Sequence, residues 1–110
     1  MRQRVLTIQS IQGWEVLMEY KIAIVEVLNH DLVFYFMEET LRIRGTMRKM
    51  EEQLAIRHFV RCNSCYLVNL KYVRQFKGNT VLVGTHELRV SQTKKQSFLV
   101  AFAKYAGGSV

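Results

Sequence analysis

Apolar residues in this chain recur at every second position more consistently than at every third or fourth, and that period commits most of it to β-strands. The plainest case is Leu41 and Ile43 set between Arg42 and Arg44, a segment with one apolar face and two outward cations. Comparable extended runs are expected at residues 5–9, 14–17, 22–28 and 32–37. The third is rich in β-branched residues, and Asn29-His30-Asp31 breaks the pattern after it with turn chemistry, so the runs on either side are expected to form a hairpin. Shorter strands are expected at 59–61, 66–68, 74–76, 80–83 and 87–90, with Lys77-Gly78-Asn79 and Gly84-Thr85-His86 as turns.

Two segments switch to helical spacing. Thr46 is a plausible N-cap for a helix carrying Met47, Met50 and Leu54 at i, i+3 and i+7. A second helix is expected at about 93–105, with Phe98, Phe102 and Tyr105 on one stripe, Ser91 in its capping region and Gly107-Gly108 beyond its end. The expected fold class is therefore mainly β: an elongated arrangement of short antiparallel strands with one or two short α-helices. No adjacent helix pair exists for a helix-turn-helix. The chain has 110 residues, no proline and no Gly/Ser-rich linker, so residues 1–110 read as a single domain. No stretch approaches the length of a membrane span, the N-terminus lacks a secretory apolar region, and two cysteines form no disulfide framework. These features together point to the reducing cytoplasm.

Charge is distributed unevenly along the chain. From Arg57 to Val110 nine basic residues face one acid, Glu87; from Met1 to Ile56 seven basic residues face eight acids, giving +8 and −1 and the net +7. Like charge concentrated this way costs self-repulsion and contributes nothing to a fold, so a polyanion such as a nucleic-acid backbone is the natural partner. A solvated basic face without a partner is the bland alternative.

No sequence motif supports catalysis. There is no phosphate-binding glycine loop, Walker sequence or HExxH. Cys62-Asn-Ser-Cys65 invites a metal or redox reading, yet a zinc site needs three or four converging ligands, and His30, His58 and His86 have no spacing that supplies them. Two ordinary thiols are expected, Cys62 in the core and Cys65 more exposed, with no cofactor and no metal. His30 beside Asp31 lacks a nucleophile and reads as a turn. Asn69 is expected to bond the backbone of the turn after its strand. The phenylalanines at 34, 36, 59, 76, 98 and 102 are expected in the core.

The segment Phe59-Val-Arg-Cys-Asn-Ser-Cys-Tyr-Leu-Val-Asn69 resembles the hallmark of the LytTR DNA-binding domain, the output module of many bacterial response regulators. That hallmark runs Phe, x, Arg, x, His, Arg, Ser, aromatic, aliphatic, Val, Asn; Phe59, Arg61, Tyr66, Leu67, Val68 and Asn69 match it. Ile22-Ala-Ile-Val-Glu26 is similar to the family's Ile-x-aromatic-Ile-Glu strand, with Ile24 in place of the aromatic. Met47, Met50, Glu51 and Leu54 fit its amphipathic helix, and Val90-Ser91 its closing pair. The likeness covers nearly the whole chain in order. Asn63, Ser64 and Cys65 stand where the family has His, Arg and Ser; Gln92 stands at a frequent Arg and Arg89 at a Pro.

The resemblance implies sequence-specific binding of double-stranded DNA for transcription regulation, from loops at one end of the fold. By alignment the candidate base contacts are Asn29, His30, Asn63, Ser64 and Gln92. Candidate phosphate contacts are Arg61, Lys71, Arg74, Lys77, Lys94 and Lys95, although Arg61 equally suits a structural ion pair. Because Asn and Gln amides match the major-groove edge of adenine whereas Arg matches guanine, the substitutions should shift the preference away from guanine. Family likeness further implies direct-repeat operators, a pair of protomers on DNA and a receiver domain in a longer regulator. A small basic β-domain binding RNA or an acidic protein surface is the alternative from another class.

Overall fold

The computed structural model describes residues 4–10, 12–54 and 58–107. Among the described residues, ten strands and two α-helices follow one another as β1 (Val5–Ser10), β2 (Gly13–Met18), β3 (Ile24–Leu28), β4 (Asp31–Tyr35), β5 (Thr40–Arg44), α1 (Met47–Leu54), β6 (Phe59–Arg61), β7 (Tyr66–Asn69), β8 (Val73–Lys77), β9 (Thr80–Val83), β10 (His86–Arg89) and α2 (Gln92–Tyr105). The molecule is mainly β, as its period-two pattern requires, and measures 44 × 36 × 25 Å. Strand β3 starts two residues later and β4 stops two residues earlier than expected. A 3-10 turn at Glu19–Lys21 leads into β3, and the backbone turns back after β4 where Phe36 N–H donates to Glu39 O. A second 3-10 turn, Leu70–Tyr72, joins β7 to β8. Periodicity cannot register such three-residue turns.

All strand pairs are antiparallel. The central five-stranded sheet has the order β5-β4-β3-β7-β6; β1-β2 is a separate hairpin, and β10-β9-β8 a three-stranded meander. Because neighbouring side chains in a strand point to opposite faces, the central sheet feeds two cores. On one face Val25, Leu32, Phe34, Ile43 and Leu67 meet Leu6, Ile8 and Leu17 of the hairpin and Met47, Met50 and Leu54 of α1. On the other, Ile24 and Val68 meet Cys62, then Val81, Val83 and Leu88 of the meander and Phe98 of α2. Phe34 and Phe98 are fully buried, one in each core, and truncating either to alanine should cost about 3–5 kcal/mol. Phe36, Phe76 and Phe102 are only half-buried at the margins.

Gly45, at the junction of β5 and α1, is fixed by proximity: a Cβ there would lie 3.1 Å from Leu32 Cδ1. Helix α1 starts with Thr46 Oγ1 accepting weakly from Lys49 N–H at 3.4 Å. Helix α2 begins one residue earlier than expected, with Ser91 at its N-cap position bonding the Thr93 hydroxyl at 3.3 Å. At its far end Gly107 adopts φ +96, the left-handed region glycine tolerates, while Gly108 lies outside the described residues. Among the described residues no helix is long and apolar enough to cross a membrane.

Candidate nucleic-acid interface

Antiparallel strands send their connections alternately to two ends of the molecule. One end collects the β3–β4 turn at Asn29 and His30, the β5–α1 junction, the β6–β7 loop at 62–65, the β8–β9 turn and the β10–α2 junction. The other collects the β4–β5 turn, the two 3-10 turns and the β9–β10 turn. We refer to them as the Asn63 end and the Tyr72 end.

Loop 62–65 is the centre of the first end. Asn63 Oδ1 accepts from Cys65 N–H at 2.8 Å and from Tyr66 N–H at 3.1 Å, closing an Asx turn. Its Nδ2 donates to Arg89 O at 2.7 Å, and Ser91 N–H donates to Cys62 O at 2.9 Å, so the loop is bolted to the approach of α2. On the opposite flank Val27 N–H donates to Cys65 O at 2.8 Å, joining the loop to the end of β3, one residue before Leu28 enters the Asn29–His30 turn. The β5–α1 junction is held to that turn by Gly45 N–H donating to His30 O at 3.2 Å. Three segments expected to share a face are therefore joined by backbone hydrogen bonds.

The candidate side chains differ in what they are free to do. Asn29 is exposed and adopts φ +60, a left-handed conformation that asparagine accepts more readily than most residues. His30, Ser64 and Gln92 are exposed. Ser64 Oγ has only Cys65 Sγ nearby, at 3.8 Å, and Gln92 makes no side-chain hydrogen bond among the described residues. Asn63, by contrast, has its amide engaged at both atoms, leaving one Nδ2 hydrogen. Arg61 lies beneath the loop: Nη1 donates to Ser64 O at 3.2 Å, and Nε is 3.4 Å from Glu51 Oε1 without hydrogen-bond alignment. Its environment is that of a buttress.

Cations divide between the ends. Lys94 and Lys95 lie in the first turn of α2, with Lys95 Nζ donating to Asn79 Oδ1 at 2.9 Å, and Lys77 ends β8 beside that turn. Lys71 and Arg74 are placed elsewhere. Lys71 sits in the 3-10 turn after β7, with Nζ 5.0 Å from the Tyr20 ring centroid, and Arg74 occupies the irregularity early in β8. Both line the cleft with Ala23, Tyr35 and Phe36 at the Tyr72 end. Four other cations join the Asn63 end: Arg89 pairs across from Thr80 and lends its carbonyl to Asn63, Arg44 pairs across from Asp31, and Arg48 and Lys49 begin α1. Counting charge by halves hid the last three among the acids Glu38, Glu39, Glu51 and Glu52; the hairpin register and the Thr46 cap could have found them. Among the described residues, the ion pairs are Arg4–Glu19, Arg42–Asp31 and Arg61–Glu51, so the other cations at this end carry no carboxylate partner.

Glu26, which matches the family's strand Glu, accepts from Tyr35 Oη at 2.5 Å and Tyr66 Oη at 3.0 Å and so ties three strands together. The hydrogen bond to Glu26 and burial push the Tyr35 phenol up to about 12; burial and the same carboxylate raise Tyr66. Burial pushes the Cys62 thiol up to about 12, whereas Cys65 is exposed. Among the described residues, no three His, Cys, Asp or Glu side chains come together as a metal cluster would require. Asn69 behaves as its position suggests: Oδ1 accepts from Lys71 N–H at 3.0 Å and Nδ2 donates to Ile22 O at 2.9 Å.

Comparison with known proteins gives the same assignment from another direction. A family profile described as the LytTr DNA-binding domain matches residues 13–102. No curated protein matches the chain. Among solved structures, a LytTr DNA-binding domain from Bacillus cereus superposes with a TM-score of 0.68 at 20% identity, covering 97% of this chain and 99% of that one. At that identity the likeness speaks for the fold, while the profile, spanning the central sheet, α1 and most of α2, speaks for descent. The chain belongs to the LytTR family of DNA-binding domains.

Proposed function

We propose that the Asn63 end reads double-stranded DNA in the major groove, in the service of transcription regulation. The observation that carries this is the hydrogen-bonded convergence of the Asn29–His30 turn, loop 62–65 and the start of α2, ringed by cations without carboxylate partners. Asn29, His30, Ser64 and Gln92 are the base contacts. Asn63 contributes chiefly by shaping the loop, with its remaining Nδ2 hydrogen available to a base acceptor. Asn29 and Gln92 amides can each pair with the N6 and N7 edge of adenine, favouring adenine over guanine at their positions. Lys77, Arg89, Lys94 and Lys95, with Arg44, Arg48 and Lys49 on the opposite flank, hold the phosphates on both sides of the groove and fix register without reading sequence. Arg61 supports the loop from below, and Lys71 and Arg74 lie too far along the sheet to join this contact.

One such end covers only a few base pairs, so high specificity calls for two protomers on direct repeats, with a receiver domain of a longer regulator bringing them together. Selection of bound duplexes from a random pool, followed by titration of the winner, tests the reading. A repeated, adenine-containing half-site should emerge, and with about seven phosphates neutralised per protomer the logarithm of affinity should fall against the logarithm of salt with a slope of about −6. Equal affinity for a scrambled duplex, or preference for RNA of the same length, would overturn it.

A further inference from the structure

The Tyr72 end holds a cleft of about 340 Å³ lined by Arg4, Glu19, Tyr20, His58, Phe59, Asn69, Lys71 and Tyr105. We propose that it binds a small aromatic zwitterion, a molecule of the aromatic amino-acid class carrying an ammonium and a carboxylate on an apolar ring.

Glu19 is a buried polar group of this lining. Its residue is 5% exposed; Oε2 accepts from Arg4 Nε at 3.2 Å, but Oε1 is buried and meets no hydrogen-bond donor among the described residues. A buried carboxylate oxygen without a donor is costly, and Glu19 lines the cleft beside the half-exposed Arg4, so a donor that enters the cleft and shifts the Arg4 side chain relieves the cost. A water molecule would satisfy Oε1 but not the walls. Tyr20 and Tyr105 remain 40% and 38% exposed around the opening, the His58 ring stands edge-on to Tyr105 at 4.8 Å, and Phe59 closes the lining. Aromatic walls with a few polar groups, at the small end of the roughly 300–1,000 Å³ range, are the usual features of a site for a ring-bearing ligand.

Charge narrows the class further. Among the described residues of this lining, the two cations Arg4 and Lys71 outnumber the one carboxylate, which disfavours a simple monocation despite the orphaned oxygen. Lys71 Nζ, held over the Tyr20 ring at 5.0 Å, offers a partner for an anionic group at the mouth. The Asn69 amide is already engaged by Ile22 O and Lys71 N–H and supplies wall only. An ammonium toward Glu19 Oε1, a ring between the tyrosines and a carboxylate toward Lys71 satisfies each of these groups. None of this depends on how the opposite end meets DNA.

The test uses the full chain labelled with nitrogen-15 and three probes: L-tryptophan, tryptamine, which lacks the carboxylate, and indole-3-propionate, which lacks the ammonium. L-Tryptophan should give saturable amide shifts concentrated at Tyr20, His58, Asn69, Lys71 and Tyr105, with each truncated probe at least about fivefold weaker. Glu19→Gln should weaken L-tryptophan about tenfold and indole-3-propionate less than twofold. If Glu19→Gln fails to fold, Lys71→Ala, altering an exposed side chain, should abolish the advantage of L-tryptophan over tryptamine. The proposal is overturned if no probe produces saturable shifts at these amides, or if all three bind equally.

Discussion

Strand β7 is bracketed by two asparagines that bond the backbone in nearly the same way and sit in opposite surroundings. Asn69, 4% exposed, closes the turn toward Leu70–Tyr72 and seals it against Ile22. Asn63 closes the turn at the other end, but its loop stands among exposed polar side chains and cations without ion pairs. Three acids stand at the Tyr72 end, Glu38 and Glu39 in the β4–β5 turn and Glu19 in the 3-10 turn, whereas Asp31 and Glu51 at the Asn63 end are taken up by Arg42 and Arg61. One turn device thus serves two purposes. Where it is buried it only anchors the sheet; where it is presented with unpaired cations it forms a rigid rim that can meet a polyanion.

The largest expected effect comes from pH, because the Asn63 loop rests on Cys62. Its thiol is held near 12 in the fold against about 9 in the unfolded chain, so the fold retains a proton that the unfolded chain loses. The associated stability is fully present below pH 9 and falls as pH rises from 9 toward 12, by up to about 1.4 kcal/mol per pH unit, with Tyr35 adding in the same direction above pH 10. Urea unfolding at pH 8 and pH 10.5 measures this, and Cys62→Val should flatten the dependence. A pH-independent midpoint in the parent would contradict the buried thiol.

Next comes the pair of asparagines. Asn69→Ala should cost about 2 kcal/mol of stability, since it removes one buried and one part-buried hydrogen bond, and Asn63→Ala about 1 kcal/mol, since two of its three hydrogen bonds are exposed. Only Asn63→Ala should also weaken DNA binding by the folded protein, by at least about tenfold on every duplex, because the loop loses its shape. Equal DNA affinities in the two variants, measured by fluorescence anisotropy where both are folded, would erase the distinction between the ends. A smaller and more local effect is expected from Gln92→Ala, which should relax preference at one base position by about 1–2 kcal/mol and leave the others unchanged. Smallest is the salt response. Lys94→Ala should make the slope of log affinity against log salt shallower by about 0.9, and Lys71→Ala should leave it as in the parent.

The fold was legible because alternation survives in short strands, and because Gly78, at φ +63, and Asn29, at φ +60, sit at backbone turns suited to their residue types. The site was legible in its segments, through the hallmark around Phe59–Arg61, but only partly in its side chains. Nothing in the string 62–65 says that the Asn63 amide turns inward to Arg89 O, a partner 26 residues away. Nor does chain position reveal the end on which a cation stands: Lys71 and Lys77 are six residues apart but lie at opposite ends, since β8 runs between them. Arg44, Arg48 and Lys49 were obscured for the converse reason: Glu38 and Glu39, close in sequence, stand at the far end of β5, and Glu51 of α1 turns to another partner. Arg61 illustrates diversion, as its Glu51 partner comes from α1.

The most direct measurement is an amide-resolved NMR titration of the nitrogen-15-labelled chain with the duplex selected from the random pool. Shifts are expected at Asn29 and His30, at Cys62 through Cys65 and at Ser91 through Lys95, with Lys71, Tyr72, Gly84 and Thr85 unmoved. Shifts centred on that second group, with the first silent, would contradict it.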